Sequence, residues 1–173
     1  MYEQVKKQAE TMLKRFSMES SPVNIERIVK ELGIEIGYAP SAKYSGMLIR
    51  KSDGKVLMGI NNSESTGRMR FTIAHELGHF ILFPKENVNI DYRNKEYSSK
   101  KPKKEKIADF FAANLLMPES FVQMDFKQVT SDGIFFENNL IQLADKYKVS
   151  VEAMRYRLIN LKLIPTDSAN NIY

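Results

Sequence analysis

The chain contains only two histidines, and they stand four residues apart in His75-Glu76-Leu77-Gly78-His79. On an α-helix four residues turn through about 400°, so both imidazoles leave one face a turn apart and can share one metal ion. Glu76 lies roughly 60° around the helix from His79, where its carboxylate reaches a metal-bound water without being a ligand. Two ligands and an adjacent base are the parts that metal-assisted hydrolysis requires. Met69, Phe71, Ile73, Leu77, Phe80 and Ile81 in the same segment predict a buried, core-anchored helix. Its N-cap candidates lie in Ser63-Glu64-Ser65-Thr66, it runs to about Leu82, and Pro84 stops it. Gly78 in a helix interior costs about 1 kcal/mol relative to alanine. Its presence is explained if another backbone packs against it.

A catalytic zinc takes three protein ligands and keeps one position open. The sequence has no cysteine and no further histidine, so a third ligand must be Asp or Glu. Glu105, 26 residues beyond His79, opens a segment with helical patterning and is the best candidate. Asp109 lies one turn further on the same face, placed to accept a hydrogen bond from a ligand histidine and so fix its tautomer. Ala108, Ala112 and Ala113 leave room for close helix packing. Spacing alone leaves plain alternatives open: Glu105 as a solvated acid favoured by a helix N-terminus, and Asp109 as a surface acid.

Around this centre the pattern alternates between helix and strand. Helices are expected over residues 3–16 and 25–32, the second stopped by Gly33, followed by a short strand over 34–38. Tyr44 to Arg50 and Lys55 to Asn61 flank Lys51-Ser52-Asp53-Gly54 as a hairpin. Met47–Arg50 or Val56–Ile60 is a candidate edge strand for holding an extended substrate, with an ordinary half-buried hairpin as the plain reading. The polar stretch from Pro84 to Pro102 reads as a loop. Helices follow over 103–117, ended by Pro118, and over 119–126, 138–146 and 151–161.

Length and composition narrow the function classes. One domain with a small appended lobe suits 173 residues, and 43% hydrophobic with 27% charged residues makes the chain globular. Without cysteine there are no disulfides, thiolate sites or cysteine nucleophiles, which fits a reducing compartment. The N-terminus lacks the apolar core of a signal peptide, and no apolar run is long enough to span a bilayer, so a cytoplasmic protein is expected. Seven basic and two acidic residues between Arg93 and Lys106 account for the entire net charge of +5. The basicity is one local patch, a solvated loop or a surface for an acidic partner, and not a nucleic-acid footprint.

Phe71-Thr72-Ile73-Ala74-His75-Glu76-Leu77-Gly78-His79-Phe80, followed by Glu105-Lys106-Ile107-Ala108-Asp109-Phe110-Phe111-Ala112-Ala113-Asn114-Leu115-Leu116-Met117-Pro118, resembles the ImmA/IrrE family of metallopeptidases. The resemblance is strong from about Met47 to Pro118, while the flanks match only in arrangement. It implies an α+β, zincin-like fold with a small antiparallel or mixed sheet packed on the helix of the two histidines, plus a C-terminal helical pair. The expected division is a metallopeptidase core over 1–130 and a C-terminal helical segment over 131–173. The resemblance further implies His75, His79 and Glu105 as ligands of Zn²⁺ and Glu76 as the base. Asp109 departs from the family, which commonly has Asn there; Asp serves as an acceptor at least as well.

Members of that family characteristically cleave helix-turn-helix repressors encoded beside them, in mobile elements or stress circuits. This implies a regulatory endopeptidase with a protein substrate and no direct nucleic-acid partner. An oxyanion donor cannot be histidine here; Tyr44, Tyr92 and Tyr97 are available, as are other polar groups. The competing reading is a DNA-binding regulator with a structural or sensory metal site. It rests on the helix-turn-helix rhythm of residues 140–155, with Arg155, Tyr156 and Arg157 facing DNA. A metal-bound scaffold or a hydrolase of another bond is the third class.

Overall fold

The computed structural model describes residues 1–92, 102–130 and 134–166. Arg93, Lys95, Lys100 and Lys101 of the basic patch, and Tyr97, lie outside the described residues. The chain opens with α1 (Tyr2–Arg15), whose stripe of Val5, Ala9, Met12 and Leu13 is buried. Helix α2 (Ile25–Glu31) begins where the Asn24 side chain accepts the Arg27 backbone N–H at 3.0 Å. It ends before Gly33, whose φ of 73° is in the left-handed region that glycine tolerates without steric cost.

Three strands follow: β1 (Ile34–Ala39), β2 (Tyr44–Arg50) and β3 (Val56–Asn61). The β2–β3 turn closes as the sequence predicts. Lys51 N–H reaches the Lys55 carbonyl at 2.8 Å, and Gly54 takes φ 85°. A fourth strand, β4 (Val88–Tyr92), lies within the stretch expected to be a loop. Its alternation is inverted, which is why it escapes notice. Asn89 and Asp91 turn inward and are buried, whereas Val88 and Tyr92 are exposed.

The sheet order is β1-β3-β2-β4, with β1 parallel to β3 and the other two pairs antiparallel. Neither strand proposed as an edge is one: β2 and β3 are both interior, because β4 pairs outside β2 and β1 returns outside β3. The register slips between Tyr44 and Gly46, leaving a bulge in β2 opposite the end of β4.

Helix α3 (Thr66–Leu82) starts at Ser65, whose hydroxyl accepts the Arg68 N–H at 3.3 Å, and is buried continuously from Thr72 to His79. It lies between the sheet and α4 (Lys103–Leu116), which ends at Met117 before Pro118. Two glycines allow this sandwich. A Cβ on Gly46 of β2 would stand 2.4 Å from Thr72 Cγ2, and one on Gly78 would stand 3.3 Å from the Cα and carbonyl of Ala108. The weak spot at Gly78 therefore has the cause proposed for it, a close backbone from α4.

Helices α5 (Glu119–Val129), α6 (Glu137–Tyr147) and α7 (Val151–Asn160) complete the α+β fold. Buried polar anchors hold the last pair against the rest. Tyr147 donates to Asp125 at 2.8 Å, Arg70 of α3 donates to the carbonyls of Lys148 and Val23, and Arg157 donates to the Met117 carbonyl and to Asn114 Oδ1. Among the described residues no helix is long and apolar enough to cross a membrane.

Candidate metal centre

Helix α3 presents His75 and His79 on the face that meets α4, and the first turn of α4 presents Glu105 back to them. The two Nε2 atoms lie 3.2 Å apart. The Glu105 carboxylate bridges the pair, with Oε2 3.4 Å from His75 Nε2 and Oε1 3.4 Å from His79 Nε2. All three residues are at most 2% exposed. They form the one group of three potential metal ligands found among the described residues.

These separations suit an ion. Donors held tetrahedrally at ~2.0–2.1 Å from zinc stand ~3.3–3.4 Å from one another. The donor chemistry agrees, since two imidazole nitrogens and one carboxylate favour zinc over the hard, all-oxygen cations. With no cation between them, residues packed this tightly need a proton in its place, which the raised imidazolium of His75 supplies.

Asp109 stands one turn beyond Glu105, and its Oδ1 lies 2.9 Å from His75 Nδ1. With Nδ1–H donated to that carboxylate, Nε2 keeps its lone pair toward the shared point. On the other side Glu86 Oε2 lies 3.9 Å from His79 Nδ1, with Lys104 at 3.2 Å from the same carboxylate. Burial alone would push the His75 imidazolium down. The bonds to Asp109 and Glu105 and the charge of Glu76 outweigh it and raise the group to about 9 in the metal-free protein.

Glu76 faces the sheet side of the centre and is completely buried. Its Oε2 accepts a hydrogen bond from Asn89 Nδ2 of β4 at 3.0 Å, whereas Oε1 is buried with no hydrogen-bond partner among the described residues. Burial pushes this carboxyl up to about 7. The His75 charge and the Asn89 bond oppose that rise, and Asp91 and Glu105 add to it. A buried acid adjusted to neutrality can both take and return a proton at physiological pH.

The structure thus brings His75, Glu76, His79, Glu105 and Asp109 together. Asn89 and Glu86 are the additions that sequence reasoning missed, both within the stretch taken for loop. The one available signal was the strict alternation of Val88-Asn89-Ile90-Asp91-Tyr92. Tyr44 and Tyr92, offered as oxyanion donors, pair edge to face with each other across β2 and β4, with centroids 5.3 Å apart. The residues suggested to face DNA are engaged elsewhere. Arg157 is buried against α4, and Arg155 pairs with Glu137 of the neighbouring helix; Tyr156 alone is exposed.

Among solved structures, a transcriptional regulator from Mycobacterium tuberculosis superposes with a TM-score of 0.62 at 16% sequence identity, over 91% of this chain and 46% of that one. At that identity the likeness is one of fold, and this chain spans about half the length of that protein. No curated protein matches the sequence. The family model for peptidase M78, described as the IrrE N-terminal-like domain, matches residues 29–159, from within α2 through almost all of α7. A match of that extent takes in the sheet, both helices of the metal centre and the C-terminal pair, and the chain belongs to that peptidase family.

Proposed function

We propose that the protein is a zinc-dependent endopeptidase whose substrate is a helix-turn-helix repressor. The observation that carries the reading is the convergence of His75, His79 and Glu105 beside a buried Glu76 whose Oε1 has no partner among the described residues. His75, His79 and Glu105 would hold the ion, and zinc in such a site activates water and polarises the scissile carbonyl. Glu76 takes a proton from the attacking water and returns it to the leaving nitrogen. Asp109 keeps the His75 ring in one tautomer and orientation. Gly78 lets α4 approach closely enough for Glu105 to reach both rings.

Substrate would lie in extended form along β4, the terminal strand of the sheet on the side of the centre. Among the described residues no strand pairs beyond β4, and its outer edge would supply main-chain donors and acceptors for β-augmentation. In this reading the core over 1–130 carries the chemistry, the helical segment over 131–173 buttresses α4, and the work is done in the cytoplasm where such a repressor acts. The choice of a repressor as substrate rests on the family resemblance, not on a feature of the cleft.

The test is incubation of the zinc-loaded protein with the repressor encoded next to its gene, with fragments mapped by mass spectrometry. Cleavage at a defined bond, abolished by chelator and by Glu76→Gln, is expected. Fragments that persist with chelator, or a Glu76→Gln variant that cleaves as well as the parent, would overturn the reading.

A further inference from the structure

The inference rests on the peptidase reading and assigns one more residue to it. Asn89 comes from β4, a strand with no ligand of its own. The strand's alternation turns Asn89 inward, 6% exposed, while its neighbour Val88 stays in solvent. There its Nδ2 makes the hydrogen bond that the Glu76 carboxyl receives among the described residues. The opposite oxygen, Oε1, faces Gly46 of β2, where an added Cβ would meet it at 3.4 Å, in ordinary van der Waals contact, and glycine leaves that space open. An amide N–H only donates and an ionised carboxylate only accepts. The bond from Asn89 therefore occupies Oε2 and leaves Oε1 as the oxygen free to act.

We propose that Asn89 is a positioning residue for the base: it pins Oε2 and so fixes the orientation in which Oε1 meets the attacking water. As the water oxygen bonds to the carbonyl carbon, its proton passes to Oε1. As the C–N bond breaks, the same proton passes from Oε1 to the departing nitrogen and the carboxylate is regenerated. The Asn89 bond persists through both transfers because Oε2 remains an acceptor whether or not Oε1 is protonated. A carboxyl without this clamp rotates about its last torsion and presents either oxygen, which lowers the fraction of productive geometry.

The test uses the full zinc-loaded chain and the cleaved repressor. Asn89→Leu, matched in branching and heavy-atom count but without a donor, should lower kcat by ~10- to 100-fold with KM within about twofold and the zinc content unchanged. Asn89→Gln, which keeps an amide donor, should lose less. An unchanged kcat in Asn89→Leu, or a loss in Asn89→Gln as large as in Asn89→Leu, would overturn the proposal. Should Asn89→Leu fail to fold, Asn89→Val carries the same expectation, since it is smaller and also lacks a donor. A wild type that cleaves nothing refutes the peptidase reading separately. The clamp is then judged from the Asn89 side-chain amide resonance, which must move on Glu76→Ala if the bond exists and stay in place if it does not.

Discussion

Replacing Glu76 with glutamine should remove the chemistry and, at the same time, stabilise the metal-free protein above neutral pH. The carboxyl is 0% exposed, holds one hydrogen bond and has one oxygen without a partner among the described residues. Burial raises it from 4.5 to about 7. Because the folded chain binds this proton more tightly than the unfolded chain, the native state is penalised as pH rises. The penalty is absent below about 4.5, grows between there and about 7, and is complete above. A rise from 4.5 to about 7, at ~1.36 kcal/mol per pH unit, comes to about 3 kcal/mol. Glutamine never ionises, and its carbonyl can still accept the Asn89 bond. Its amide, left facing the Oε1 position, costs ~1 kcal/mol of that gain. The net effect at pH 8 is then ~2 kcal/mol, or ~4–8 °C in Tm for a chain of this size. At pH 5 most of it disappears. Thermal melts of both proteins in chelator at the two pH values measure the difference. Equal Tm values at pH 8, or a Glu76→Gln variant that is less stable at both, would show that the carboxyl is not buried without compensation.

The same geometry sets other expectations. His75 is held at about 9 without metal and must lose its proton to coordinate, so zinc affinity should climb with pH up to that value. Calorimetry at pH 8 in buffers of different ionisation enthalpy should detect close to one proton released. Asp109→Ala should weaken zinc binding by ~10- to 100-fold, whereas Asp109→Asn, which retains the acceptor for His75 Nδ1, should weaken it far less; competition with a chromophoric chelator separates the two. Gly78→Val drives a side chain into Ala108 and Phe111 and should cost ~1–3 kcal/mol of stability together with zinc affinity, read by urea unfolding and metal titration. Arg157→Ala strips the donor from the Met117 carbonyl and from Asn114 and should destabilise by ~3 kcal/mol without changing zinc stoichiometry.

Helix α3 was legible because its constraints are local: a histidine pair at helical spacing, a capping serine at Ser65 and a proline just past the end. For the third ligand, elimination reached only a carboxylate and spacing left Glu105 open as a solvated helix-end acid; the resemblance to the ImmA/IrrE family is what singled it out. Strand β4 was not legible, although it alternates, because its polar residues face inward to meet Glu76 and Arg68. Hydrophobic patterning assumes the opposite. The sheet edges were hidden for another reason: the β1–β3 pairing is parallel and joins strands separated by β2, a long-range choice that no turn signal encodes. Arg157 misled through its charge. Its spacing from Met154, Leu158 and Leu161 places it on the buried stripe of α7, where its guanidinium caps carbonyl groups on α4 and is not presented to a phosphate backbone.

The central claim is that two rings from α3 and one carboxylate from α4 enclose a single ion. A crystal structure of the zinc-loaded protein, with anomalous data collected on both sides of the zinc edge, tests it most directly. One peak is predicted per chain, ~2.0–2.2 Å from His75 Nε2, His79 Nε2 and a Glu105 oxygen, and absent in Glu105→Ala. A peak elsewhere, or a Glu105→Ala variant that keeps its zinc at the two histidines with full affinity, would contradict the account.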